Sequence, residues 1–100
     1  MKKTYFVSRH KGAQEWALRR GIKAQVIEHF DPSIIKQDDV VIGTLPIHLA
    51  SQVCENGGLY VHLMMDVPAE LRGKEISADM MEELGAELQT YEIIEIPTFN

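Results

Sequence analysis

Thr4-Tyr5-Phe6-Val7-Ser8-Arg9-His10-Lys11-Gly12 opens the chain with a β-branched and aromatic run that stops abruptly at a cluster of polar groups. Such a run reads as a short buried strand. From Gly12 to Arg20, Ala13, Trp16, Ala17 and Arg20 then recur at helical spacing, and Gly21 supplies a C-terminal stop. The unit is strand, loop, helix. It recurs at Val40-Val41-Ile42-Gly43-Thr44-Leu45-Pro46, followed by Ile47, Ala50, Val53 and Cys54 as the buried stripe of a helix ending at Asn56-Gly57-Gly58.

Between the two units, Ala24 to Ile27 is expected as a second strand and Asp31-Pro32-Ser33 as a turn or single helical turn. Leu59 to Met64 follows as a fourth apolar strand. Ser77 is placed to N-cap a helix with Asp79 in its first turn and Met80, Met81, Leu84 and Leu88 on its inner face, with Gly85 an internal cost. Tyr91 to Ile96 is expected as the last strand. Alternating strands and helices with short connections imply a mainly parallel sheet covered by helices, a compact Rossmann-like α/β sandwich of three layers formed by residues 1–100 as one domain.

With 100 residues, 45% hydrophobic and 25% charged, the chain falls within the range of one globular domain. At this size roughly 65% of the unfolded surface is buried, so a homodimer is expected as a further source of burial. The single cysteine, Cys54, excludes an intramolecular disulfide, and with no group near it in sequence to stabilise a thiolate it is expected to be inert. Only four or five strand-like residues separate Met1-Lys2-Lys3 from Arg9, too few for a signal peptide, and no run reaches the length of a membrane span. The expected location is the cytoplasm.

A net charge of -5 argues against a coat for duplex nucleic acid, which must neutralise many phosphates. The charge is nonetheless uneven. Lys2, Lys3, Arg9, Lys11, Arg19, Arg20 and Lys23 gather in the first 24 residues against Glu15 alone, while residues 65–100 hold nine acids against Arg72 and Lys74. A basic pole on an acidic body suits a local site for a small polyanion.

In open α/β sheets ligands bind beyond the carboxyl ends of the strands, where strand order reverses. The expected 2-1-3 order puts the loops at 8–12 and 43–46 at that address. Ser8, Arg9, His10 and Lys11 offer a hydroxyl, a guanidinium fork, an imidazole and an ammonium ahead of a helix N-terminus, which itself favours anions. Gly43 lets a backbone approach a bound group, Thr44 offers a hydroxyl, Leu45 continues the loop, and His48 is expected to look back into the pocket from the first turn of the next helix. The bland reading is a solvated basic loop and an ordinary turn; the pairing of the two loops favours a phosphate site. Neither Gly-x4-Gly-Lys-Ser/Thr nor Gly-x-Gly-x-x-Gly is present. His62 reads as a core histidine, His29 as a surface partner of Asp31, and Met64, Met65, Met80 and Met81 as core or interface filling.

Thr4-Tyr5-Phe6-Val7-Ser8-Arg9-His10 with Gly12-Ala13 and Trp16, Val41-Ile42-Gly43-Thr44-Leu45-Pro46, Tyr60-Val61-His62-Leu63 and Leu71-Arg72-Gly73-Lys74-Glu75 together resemble a family of short CRISPR-associated accessory proteins. These belong to the Csx group, are encoded beside type III systems and are regarded as ring nucleases. The resemblance runs from about residue 3 to residue 82, with Asp38-Asp39 standing where the family pattern has Gly-Asp. It implies a homodimer that binds cyclic oligoadenylate, the four-membered ring in particular, and linearises it to switch off a defence signal.

On that resemblance the chain is expected to be a phosphodiesterase needing no metal or other cofactor, because RNA carries its own nucleophile in the ribose 2'-OH. Arg9 and Lys11 would neutralise the pentavalent oxyanion, and N–H groups around Gly12 and Thr44 would complete the cradle. His10 is the first choice for proton transfer and His48 the second, with Ser8 orienting the 2'-OH or a non-bridging oxygen. The alternatives are a sensor that holds a cyclic nucleotide without cutting it, a phosphatase or nucleotidyl hydrolase using a metal on Asp66 or the late acids, and an interaction domain for a larger complex.

Overall fold

Tyr5 and Phe6, like Val41 and Ile42, are neighbours whose side chains leave a strand on opposite faces, and each face carries its own buried cluster. The computed structural model describes residues 2–98. Five strands, β1 (Thr4–Val7), β2 (Gln25–Ile27), β3 (Val40–Gly43), β4 (Leu59–Met64) and β5 (Glu87–Tyr91), form one sheet in the order β2-β1-β3-β4-β5. All pairings are parallel except that of β4 with β5. Three helices, α1 (Lys11–Arg19), α2 (Ile47–Glu55) and α3 (Ala78–Glu83), complete this compact α/β fold with two 3-10 turns at Pro32–Ile34 and Ala69–Leu71.

On one side Phe6, Ile42 and Leu63 cluster with Ala13, Trp16 and Ala17 of α1 and Ala78 and Met81 of α3. On the other, Tyr5, Val41 and Tyr60 cluster with Ala50 and Val53 of α2 and with Ile35. Of the expected helical stripes, Ala13, Trp16 and Ala17 of α1 and Ala50 and Val53 of α2 are buried and Cys54 is half-buried, whereas Arg20 is exposed and Ile47, at the first position of α2, is 71% exposed. Among the described residues no helix is long and apolar enough to cross a membrane.

The C-terminal third departs from its sequence pattern. A helix carrying Leu88 on its inner face and a strand over Tyr91–Ile96 are replaced by a six-residue α3 and a strand at Glu87–Tyr91. Gly85 decides this. It adopts φ 74°, its N–H bonds to the Glu82 carbonyl and that of Ala86 to Met81, the two hydrogen bonds of a glycine-terminated helix end. Beyond that stop Leu88 packs by strand alternation, opposite Leu63 of the antiparallel β4. Ser77 caps α3 as expected, accepting from the Met80 N–H at 3.1 Å.

Among the described residues, two of the seven cations of the basic pole are paired on the surface. Arg19 pairs with Glu15 and Asp79, and Arg20 pairs with Glu82 at 2.9 Å while lying 4.9 Å over the ring of buried Trp16. Asp79 and Glu82 of α3 thus face the C-terminal end of α1.

Asp39, 2% exposed, accepts the Lys3 N–H at 2.8 Å and the Lys36 N–H at 2.9 Å, while its own carbonyl receives Leu59 N–H. The Asp39 carboxylate therefore ties the entry of β1 to that of β3, and its backbone carbonyl ties the entry of β4. Those N–H donors hold its pKa below the ordinary carboxylate value. A lowered native pKa stabilises the fold above the unfolded value of about 3.9, and the contribution disappears as pH falls through the native value. Asp39→Asn is expected to lower the melting temperature at pH 7 and to flatten the decline in stability between about pH 5 and pH 2. Melting curves across that range check it; parallel curves for the two proteins would refute it.

Candidate functional site

After β1 the chain turns toward β2, and after β3 toward β4, so the carboxyl ends of these neighbouring strands form the point where strand order reverses. Val7 pairs with Gly43, and the two loops leave the sheet side by side. Between them lies an open cleft of about 510 Å³, lined by Ser8, Arg9, His10, Thr44 and Leu45 together with Glu28, Phe30, Leu49 and Met65. Its volume falls in the range of small-ligand sites.

Helix phase decides which of the expected residues reach it. His10 and Ala13, three apart, share the face turned to the cleft, whereas Lys11 falls with Glu15 in a separate depression that also holds Glu75 and Ser77. Pro46 and Leu49 line the cleft in the same manner. His48 lies one step round α2, with Ser51, Gln52 and Glu55, and lines a different cavity of about 600 Å³ beside Asp31 and Ser33. The structure therefore brings Ser8, Arg9, His10, Thr44 and Leu45 together and sets Lys11 and His48 apart from them.

The two glycines serve backbone packing. A Cβ on Gly12 would stand 1.9 Å from the carbonyl oxygen of Ile76, and one on Gly43 would stand 2.8 Å from that of Val7. Gly12 lets α1 seat against the approach to α3, and Gly43 lets β3 end tight against β1.

The His10 N–H bonds to Ser8 Oγ at 3.1 Å, and no side chain among the described residues caps α1, whose first turn touches the cleft through Ala13. Arg9 is exposed and forms no ion pair among the described residues. His10 Nδ1 lies 3.6 Å from Glu75, an ion-pair distance beyond hydrogen-bond reach, and the imidazole also borders a smaller cavity holding Lys74 and Met81. These groups share the cleft with Glu28, which Gln14 contacts at 3.4 Å.

Phe30 is the residue that sequence reasoning missed. It lies in a loop with no periodicity, and the aromatics Tyr5, Trp16 and Tyr60 are all in the core. Phe30, Leu49, Leu63 and Met65 give the cleft its apolar side. Thr44 Oγ1 donates to the Leu63 carbonyl at 2.9 Å, so its hydroxyl fixes the loop. Among the described residues no group of three or more His, Cys, Asp and Glu is placed to hold a metal ion.

Residues 5–94 match the family model described as "Putative CRISPR-associated protein (Cas_VVA1548)". The chain belongs to this CRISPR-associated family. The match spans both strand-loop-helix units and all residues of the cleft. No curated protein and no solved structure gave a match.

Proposed function

We propose that this CRISPR-associated protein is a ring nuclease that binds cyclic oligoadenylate, the four-membered ring in the first instance, and opens it without a metal. The carrying observation is that Ser8, Arg9 and His10 meet Thr44 and Leu45 in one cleft at the strand-order reversal, beside an uncapped helix N-terminus. The apolar wall of Phe30, Leu49 and Met65 suits the face of an adenine, and the polar rim suits its phosphate. In this reading the sheet is the core of a Rossmann-like sandwich and the protein acts in the cytoplasm as a homodimer, since a two-fold symmetric ring calls for two equivalent loops.

The ribose 2'-oxygen attacks the adjacent phosphorus and the bond to the 5'-oxygen breaks. The products are a 2',3'-cyclic phosphate and a 5'-hydroxyl. Arg9 stabilises charge on the non-bridging oxygens, joined by N–H groups of the α1 first turn. His10 transfers the proton and Ser8, already bonded to the His10 N–H, fixes the loop that carries it.

Incubation of the purified protein with cyclic tetra-adenylate in excess chelator tests this reading, with products followed by chromatography and mass. Linear fragments ending in 2',3'-cyclic phosphate are expected. An intact ring that raises the melting temperature would make the protein a sensor; an intact ring and no thermal shift would refute ligand and reaction together.

A further inference from the structure

Tyr60, 1% exposed, places its hydroxyl within hydrogen-bond reach of the Leu45 N–H at 3.0 Å, the Gly43 carbonyl at 3.1 Å and His62 Nδ1 at 2.7 Å. A phenol has one proton and two lone pairs. Leu45 N–H can only donate and Gly43 C=O can only accept. All three contacts are satisfied together in one arrangement: Tyr60 donates to Gly43, and His62 carries its proton on Nδ1 and donates to Tyr60. Burial raises the Tyr60 pKa above the ordinary phenol value, which keeps that proton in place. The other ring nitrogen of His62 is left as an acceptor in a groove lined by Leu45, Ile47, Tyr91 and Ile93.

The Gly43 carbonyl and the Thr44 N–H belong to one trans peptide and point in opposite directions. Tyr60 and His62 stand on β4, whereas the Ser8-Arg9-His10 loop leaves β1 on the other side of β3. Holding the carbonyl toward Tyr60 turns the Thr44 N–H away from β4, and Thr44 Oγ1, bonded to Leu63, restrains the same residue again. We infer that Tyr60 and His62 are a positioning pair that aims the Thr44 N–H at the phosphate, an assignment that rests on the ring-nuclease reading for its ligand. Neither residue lines the cleft, so neither is catalytic.

Tyr60→Phe keeps the ring and removes only the hydroxyl. In ligand-free protein it is expected to speed solvent exchange of the Leu45 amide on the order of tenfold, the scale of one lost hydrogen bond. Ring nitrogen shifts of wild-type His62 are expected to show the proton on Nδ1. With cyclic tetra-adenylate the same variant is expected to lose at least tenfold in kcat with KM changed less than threefold, because an oxyanion donor acts mainly in the transition state. His62→Gln, which retains a donor, is expected to keep most of the rate, and His62→Leu to behave as Tyr60→Phe. An unchanged Leu45 exchange rate, or a proton on Nε2, overturns the pair whatever the ligand. A loss confined to KM, or equal losses in His62→Gln and His62→Leu, overturns its role in the reaction. If wild-type protein leaves the ring intact, the ring-nuclease reading has failed, and the amide and imidazole measurements still decide the pair.

Discussion

His10→Ala is expected to slow ring opening by about 10²- to 10⁴-fold while leaving ligand affinity within a few-fold. Imidazole is the side chain that accepts and releases a proton most readily near neutrality. His10 is the imidazole that the structure places on the cleft, since His48 faces another cavity and His62 is held by Tyr60. The substitution is clean because the side chain is exposed and serves no cap, so stability should stay within about 0.5 kcal/mol. Single-turnover rates and direct binding titrations separate the two effects. A rate within threefold of wild type would remove His10 from the chemistry and leave alignment by Arg9 and the α1 N-terminus as the source of catalysis. A matching loss in affinity would mean that His10 grips the ground state.

What the sequence disclosed follows the length of each signal. Thr4–Val7, Val40–Gly43 and Leu59–Met64 are apolar runs bounded by polar or glycine stops, and no helical pattern competes with them. Ser77 and Gly21 fixed helix ends because each does something local, a side-chain cap and a positive φ. Gly85 was misread for the opposite reason. Inside a run of Met80, Met81, Leu84 and Leu88 it looks like an interior glycine, and only the tertiary choice of φ 74° makes it a stop. Once it stops the helix, the same Leu88 fits a strand just as well.

The site was legible as loops and illegible as directions. Strand order placed residues 8–12 and 43–46 together, but whether Lys11 or His48 turns inward depends on helix phase relative to a start that sequence locates only to within a residue or two. The basic pole misled in the same way, because charge counting cannot see that Arg19 and Arg20 are taken by Asp79 and Glu82, some sixty residues on. Phe30 and Glu28 carry no pattern at all; the turn between β2 and the 3-10 segment brings them to the cleft.

Gly12→Ala is expected to destabilise the fold by about 3 kcal/mol, at the upper end for overpacking because the clash is with backbone. A Cβ there would sit 1.9 Å from Ile76 O and 3.2 Å from Ser77 Cα, atoms with no rotamer to escape into. Relief requires α1 to lift from the approach to α3, which strains Trp16 and the Arg20–Glu82 pair across the same interface. For a chain of 100 residues this corresponds to a fall of roughly 12–24 °C in melting temperature. Because the first turn of α1 also borders the cleft, affinity for cyclic tetra-adenylate should weaken in step with the displacement of the helix. Thermal melts with and without ligand check both. A fold of normal stability with lost affinity would instead make Gly12 a point of close ligand approach.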